Sequence, residues 1–268
     1  MPDTGSLKIA PLTVPEWAGM DWLWHGFSTR AGGVSTAYFR ADLACGELNL
    51  GFTAVDSAEN VHENRRRFVE RITGASETQL VAVRQVHSHL SVEVGSSGWE
   101  MTPEADGMMT RKPGVLLGIQ TADCIPVLVV DPVLRAVAGF HAGWRGTVER
   151  IVESGVRRMR EEFGSEPGML LAAIGPGIGP CCYAVGAEVV ERFEERFAYA
   201  ADLFTKDGNA IQLDLIEANR RQLLDAGLGA ESISIVGGCT SCHPELYFSH
   251  RASGGHAGRM MAVVGICA

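Results

Sequence analysis

The stretch CIPVLVVDPVLRAVAGFH, residues 124–141, consists of two apolar runs of equal length on either side of Asp131-Pro132. An Asp-Pro step between such runs is a turn signal, so the stretch reads as an antiparallel pair of strands, 125–131 and 135–141. Successive side chains of a strand point to opposite faces. Ile125, Val127 and Val129 therefore oppose Leu128 and Val130, and Ala136, Ala138 and Phe140 oppose Val137. Both faces are apolar and both must be covered, which calls for a layered fold. Centring the hairpin between Pro132 and Val133 pairs Asp131 with Leu134 and sets Cys124 opposite His141. Directly opposed Cβ atoms lie about 4.5–5.5 Å apart, close enough for a thiolate and an imidazole to share a metal ion or to act as nucleophile and base. Pro132 cannot adopt the positive φ of the favoured two-residue turns, and a slip of one residue would turn the two side chains to opposite faces.

Strand-length apolar runs also occur at 21–29, 80–87, 90–94, 114–121, 169–175, 232–237 and 259–266. Helical patterns lie at 57–72, where Asp56 and Glu59 form a capping box, at 147–163 with Thr147 as N-cap, and at 186–198 and 214–226. No linker, charge run or fixed-period repeat divides the 268 residues, so the chain reads as one domain, 1–268, of mixed α/β class. With 46% hydrophobic residues it has ample material for a large core.

A net charge of −9 argues against a nucleic-acid-binding surface, which needs clustered Lys and Arg, and leaves a small molecule as the expected partner of a monomer. The opening MPDTGSLKIAPLTVPEW has neither the basic nor the apolar region of a secretory signal, and no later run is long enough to span a bilayer; a cytoplasmic protein is expected. Seven cysteines, at 45, 124, 181, 182, 239, 242 and 267, then read as thiols or metal ligands rather than a disulfide framework.

HAGWRG, 141–146, places Gly143 and Gly146 just before a helix, where free N–H groups favour an anion, and adds the forked donor of Arg145. A plain strand-to-helix connection is the simpler reading of the same residues. RQVHSH offers His87 and His89 on one side of a continuing strand, only one of which need be a ligand. A thiolate with two neutral imidazoles suits zinc, and three protein ligands leave the fourth tetrahedral position to water or substrate, the mark of a catalytic site. The Gly-rich segments 28–35 and 48–51 read either as turns or as a substrate-binding loop in which Arg30, together with Asn49, meets an anion or a sugar hydroxyl. CTSCH, 239–243, matches a haem-attachment motif that requires export; a second metal site of Cys239, Cys242 and His243 with Cys181 or Cys182 is the alternative to incidental thiols.

FSTRAGGVS, LNLG, ENVHENRRR, RQVHS, ADGMMT, TADCIPVLVVD, HAGWRGT, IGPGIGPCCYAVG, LDLIEANRRQL and FSHR with GR follow one another in an order that resembles the YfiH family, also called laccase-domain or polyphenol oxidase proteins, peptidoglycan editing factors and, in animals, FAMIN. The resemblance implies a layered α–β–β–α sandwich, YfiH/CNF1-like, with zinc held by His87, Cys124 and His141. It also implies phosphorolysis of adenosine, inosine, guanosine and methylthioadenosine, with adenosine deamination. Ala184 stands where an acid is common, and FSHRAS replaces a tyrosine-arginine-arginine run; both bear on substrate preference. Phosphate held by Arg145, the helix N-terminus and Arg30 would attack the anomeric carbon, while Asp123 is the candidate proton carrier for deamination. One alternative is a hydrolase that removes misincorporated serine from peptidoglycan precursors, with Cys124 as nucleophile and His141 as base, or with zinc-bound water as nucleophile. The other is a copper-dependent polyphenol oxidase; eight histidines with a single H-x-H make copper the less favoured metal.

Overall fold

A computed structural model describes residues 9–38, 46–95 and 101–268; Cys45 lies outside the described residues. In chain order the elements are β1 (Leu23–Phe27), β2 (Ala31–Gly33), β3 (Gly46–Glu47), α1 (Ala58–Thr73), β4 (Gln79–Val81), β5 (Ser91–Glu93), β6 (Gly107–Thr110), β7 (Val115–Thr121), β8 (Ile125–Asp131) and β9 (Ala136–Ala142). There follow α2 (Trp144–Val148), α3 (Ile151–Phe163), β10 (Leu171–Ile174), β11 (Ala184–Val185), α4 (Ala187–Arg196), β12 (Phe204–Asp207), β13 (Ala210–Leu213), α5 (Leu215–Asp225), β14 (Ile233–Ile235) and β15 (Met260–Ile266).

Two sheets dominate, one ordered β1-β15-β7-β4 and the other β14-β10-β8-β9-β6-β5. The alternation in residues 124–141 sorts into layers as its two apolar faces require. Leu128, Val130 and Val137 point between the sheets, where they meet Leu117, Ile119, Ala262 and Val264. Ile125, Val127, Val129, Ala138 and Phe140 point outward and are covered by Ile151, Val152 and Val156 of α3 and by Leu215 and Leu223 of α5. On the far side, Phe68 and Val69 of α1 cover Leu116, Met261 and Val263. The order of layers is thus α–β–β–α. Each large apolar side chain so buried contributes about 1.5–3 kcal/mol. No helix among the described residues is long and apolar enough to cross a membrane.

The hairpin register differs from expectation by two residues. Asp131 pairs with Ala136, and His141 pairs with Pro126 rather than Cys124. The connection has four residues because Asp131 Oδ1 accepts the backbone N–H of Val133 and of Leu134, each at 2.9 Å, and Arg135 takes φ 49°. Because the slip is even, it preserves the face on which each side chain lies. Three local expectations also change. Ser57, not Asp56, caps α1 by accepting from the Asn60 N–H. The helical run begins at Trp144 with Gly143 as N-cap and breaks at Arg150, φ 61°; Thr147 lies within α2, buried, where Asn219 Nδ2 donates to its hydroxyl at 3.2 Å. The run 80–87 is a strand only over Gln79–Val81, and His87 is left-handed at φ 60°.

Candidate active site

The candidate ligand set, His87, Cys124 and His141, comes together where β8 starts and β9 ends. Asp123, in the turn before β8, has φ 88°, a conformation uncommon for a residue with a side chain. It is held there by its carboxylate, which accepts from Thr240 Oγ1 and from the Arg251 backbone N–H, both at 2.6 Å. Cys124 follows it onto the cavity wall. His141, 4% exposed on β9, has Nδ1 2.8 Å from Asp106 Oδ1. The same carboxylate accepts the backbone N–H groups of His87 at 3.0 Å and Ser88 at 2.6 Å, and the Ser88 hydroxyl at 2.8 Å. Asp106 therefore orients one imidazole and anchors the tight loop carrying the other. His87 Nε2 is 3.8 Å from Cys124 Sγ, and the two imidazole rings are 4.9 Å apart. The ligand atoms of His87, Cys124 and His141 all lie within 4.8 Å of one another.

The electrostatics of the set follow from these contacts. Burial pushes the Cys124 thiol up, but His141 and His87 outweigh it and hold the thiol down at about 6. Burial pushes His141 down, and the Cys124 thiolate with Asp106 outweighs it to raise the imidazole to about 9. Asp106 is held at about 2 because hydrogen bonds from His141 and Ser88 outweigh its burial. With no cation present, the arrangement is a thiolate beside an imidazolium. A soft cation satisfies the same thiolate, and His141 donating Nδ1–H to Asp106 leaves Nε2 as a ligand atom. A Cβ on Gly143 would lie 3.0 Å from both Cys124 Sγ and His87 Cδ2, so glycine there keeps the centre clear. The donor chemistry and this clearance fit a tetrahedral metal ion with one open position.

The three ligands face a cavity of about 670 Å³, within the range of small-molecule sites. Arg84, Arg145, Arg251 and Arg259 line it. Arg84 pairs with Glu104 at 2.9 Å. Among the described residues no carboxylate pairs with Arg145, Arg251 or Arg259: Arg145 lies over the Trp144 ring, Arg251 donates to the carbonyls of Cys182 and Ala184, and Arg259 to those of Ala257 and Gly258. Among the described residues the one carboxylate on this wall, Asp123, is engaged by Thr240 and by the Arg251 backbone, so the three guanidiniums, which no carboxylate pairs, give the cavity cationic capacity suited to an anion.

The structure brings His87, Asp123, Cys124, His141 and Arg145 to this one cavity. Arg145 stands in the first turn of α2 rather than before a helix start. His89 is exposed and off the cavity. Arg30 and Asn49 are not on its wall. The Arg30 guanidinium is spent on buried Glu47 at 2.8 Å, on the Tyr38 carbonyl at 2.6 Å and on the Pro244 carbonyl at 3.1 Å. Asn49, fully buried, accepts the Arg259 N–H at 2.8 Å and so braces a cavity arginine from behind. Sequence reasoning missed the part of Asp106, a lone acid in ADGMMT, and those of Tyr183, Arg251 and Arg259; their motifs were visible but carried no assigned role.

Residues 24–267 match the family model described as multi-copper polyphenol oxidoreductase laccase. The chain is 35% identical over 251 residues to the purine nucleoside phosphorylase YlmD of Bacillus subtilis, covering 90% of this chain and 87% of that protein. Among solved structures it resembles YlmD from Geobacillus stearothermophilus, with TM-score 0.85 and 34% identity over 95% of this chain and 94% of that one. It also resembles the hypothetical protein YfiH of Bacillus licheniformis, with TM-score 0.84 and 31% identity over 96% of each chain.

Proposed function

The chain belongs to the YfiH family, and from that premise we propose that it is a zinc-dependent purine nucleoside phosphorylase acting on adenosine, inosine, guanosine and methylthioadenosine, with an accompanying adenosine deaminase activity. The observation that carries this reading is the group of Arg145, Arg251 and Arg259, without carboxylate partners among the described residues, beside the ligand set. Phosphate is the anion that phosphorolysis needs, and guanidinium forks match its oxygens.

In this reading the three arginines hold phosphate and spread its charge while one of its oxygens attacks C1′ of the ribose. The bond from C1′ to the purine nitrogen breaks, and the purine leaves with the electron pair and takes up a proton. Trp144 and Tyr183 line the same cavity and supply apolar surface for the base, with Arg145 over the Trp144 ring and Arg251 over the Tyr183 ring. Burial and the nearby Cys124 thiolate push the Tyr183 phenol up to about 12, so at neutral pH it keeps its proton and can donate a hydrogen bond to the departing base. Asp123, lodged between Thr240 and Arg251, is the carboxylate on the cavity wall available to move a proton in deamination. His87, Cys124 and His141 would hold the zinc ion, which would supply Lewis acidity at this end of the cavity. Positioning and charge stabilisation carry most of the rate. Arg251→Ala or Arg259→Ala should raise the KM for phosphate about tenfold or more while leaving the KM for nucleoside nearly unchanged. Equal effects on both would remove the arginines from phosphate binding.

A second reading rests on one contact. With Asp106 2.8 Å behind His141, residues Cys124, His141 and Asp106 are ordered as nucleophile, base and orienting acid, the arrangement of a thiol hydrolase for amides such as a misincorporated serine on a peptidoglycan precursor. Zinc content with activity of Cys124→Ser separates the two, since the thiol hydrolase needs no metal and gives no phosphate-dependent base.

A further inference from the structure

Four cysteines from two distant segments meet away from the ligand set described above. Cys181 and Cys182 follow Gly179-Pro180 in the loop between β10 and β11, and Cys239 and Cys242 enclose Thr240-Ser241 in the loop after β14. The segments are joined by backbone: Gly177 and Cys239 form a parallel bridge, and the Thr240 N–H donates to the Gly177 carbonyl at 2.9 Å. All four Sγ atoms lie within 4.8 Å of one another, with Cys242 Sγ 3.4 Å from each of Cys181 and Cys182 Sγ. Thiolates around one tetrahedral zinc, with Zn–S about 2.3 Å, stand about 3.8 Å apart. A multi-iron cluster has its own sulfides to place between the cysteines and needs a wider set. A disulfide joins two of the four and leaves two thiols crowded against it. The Gly179 N–H donates to Cys239 Sγ at 3.2 Å, and the Cys242 N–H also bonds that sulfur.

We infer that Cys181, Cys182, Cys239 and Cys242 bind a second zinc ion as a closed, four-thiolate structural site, distinct from His87, Cys124 and His141. Four sulfur ligands complete the tetrahedron and leave no open position, so the ion builds rather than reacts. His243, which the sequence alone placed in such a site, is exposed with Nδ1 3.2 Å from Glu245 Oε1; the second cysteine of the 181–182 pair takes its place. The clamp fastens one wall of the cavity. Thr240, inside the C-x-x-C, donates to Asp123, and Arg251 reaches the carbonyls of Cys182 and Ala184 on either side of Tyr183.

Metal analysis of protein purified without added metal tests this. The His87→Ala/His141→Ala variant leaves all four cysteines in place and should retain about one zinc per chain, with an X-ray absorption spectrum of four sulfur neighbours at about 2.3 Å. Cys181→Ser/Cys242→Ser should lose that zinc and keep the one bound by His87, Cys124 and His141. The inference is overturned if the double-histidine variant holds no zinc or binds it through nitrogen or oxygen. It is equally overturned if the denatured wild-type chain titrates with fewer than its seven thiols because these cysteines are joined as disulfides.

Discussion

Asp106 Oδ1 lies 2.8 Å from His141 Nδ1, and the carboxylate that makes this contact also anchors the backbone of His87 and Ser88. One buried acid thus sets the position of both histidines of the proposed metal site. Asp106→Asn keeps the shape but loses the charge that fixes the imidazole. Zinc affinity, measured by competition with a chromophoric chelator, should fall about 10–100-fold. An unchanged affinity would mean that the ligands are held by packing alone.

Gly143 faces the same centre from the other side. In Gly143→Ala the new methyl meets Cys124 Sγ and His87 Cδ2 at 3.0 Å, tighter than ordinary contact. Overpacking of this kind costs about 1–3 kcal/mol, and here it falls on the ligands. The purified variant should carry substantially less zinc at its His87-Cys124-His141 centre than wild type, while a stoichiometric centre would show that the ligands can give way freely.

Acid should weaken metal binding with a defined slope. In the metal-free centre the Cys124 thiol is held down at about 6 and His141 raised to about 9, so between these values the thiol has already lost its proton and the imidazole still holds one. Zinc bound through His141 would displace that proton. Affinity should therefore rise with pH by about tenfold per unit over this window. Titrations near pH 6.5, 7.5 and 8.5 check it, and a flat profile would contradict the assignment of His141 as a ligand.

Arg30 contributes through stability. Its side chain and that of Glu47 are 9% and 0% exposed, and Arg30→Ala leaves a buried carboxylate without its partner. Burial already pushes the Glu47 carboxyl up, with Arg30 opposing. The cost is about 3–5 kcal/mol, read by urea unfolding. Arg30→Met/Glu47→Leu should recover much of it. If Arg30→Ala instead raises the KM for phosphate at unchanged stability, Arg30 belongs to the anion site.

The layering was legible because Ile125 and Leu128 face different cores, and neither face of their strand tolerates water. The register was not, because the loop length is set by a side chain: Asp131 accepting from Val133 and Leu134, with Arg135 left-handed. Parity rescued the meeting of Cys124 and His141, since a two-residue slip preserves the face. His87 reaches the centre from a left-handed turn, which no strand periodicity reveals. Asp106 was hidden as an acid two residues after Glu104 with no spacing to mark it, its role fixed by a contact 35 residues away in sequence. Arg30 and Asn49 misled for the opposite reason. Polar residues in Gly-rich loops look like ligand contacts, and the fold spends these on Glu47 and on the backbone of Arg259.

The most direct test is the release of hypoxanthine from inosine by the purified protein, with and without inorganic phosphate, alongside Cys124→Ala. Metal-dependent phosphorolysis predicts hypoxanthine and ribose 1-phosphate in equal amounts only when phosphate is present, and neither from the variant. Base release that ignores phosphate, or no release from a zinc-loaded wild-type protein, would contradict it.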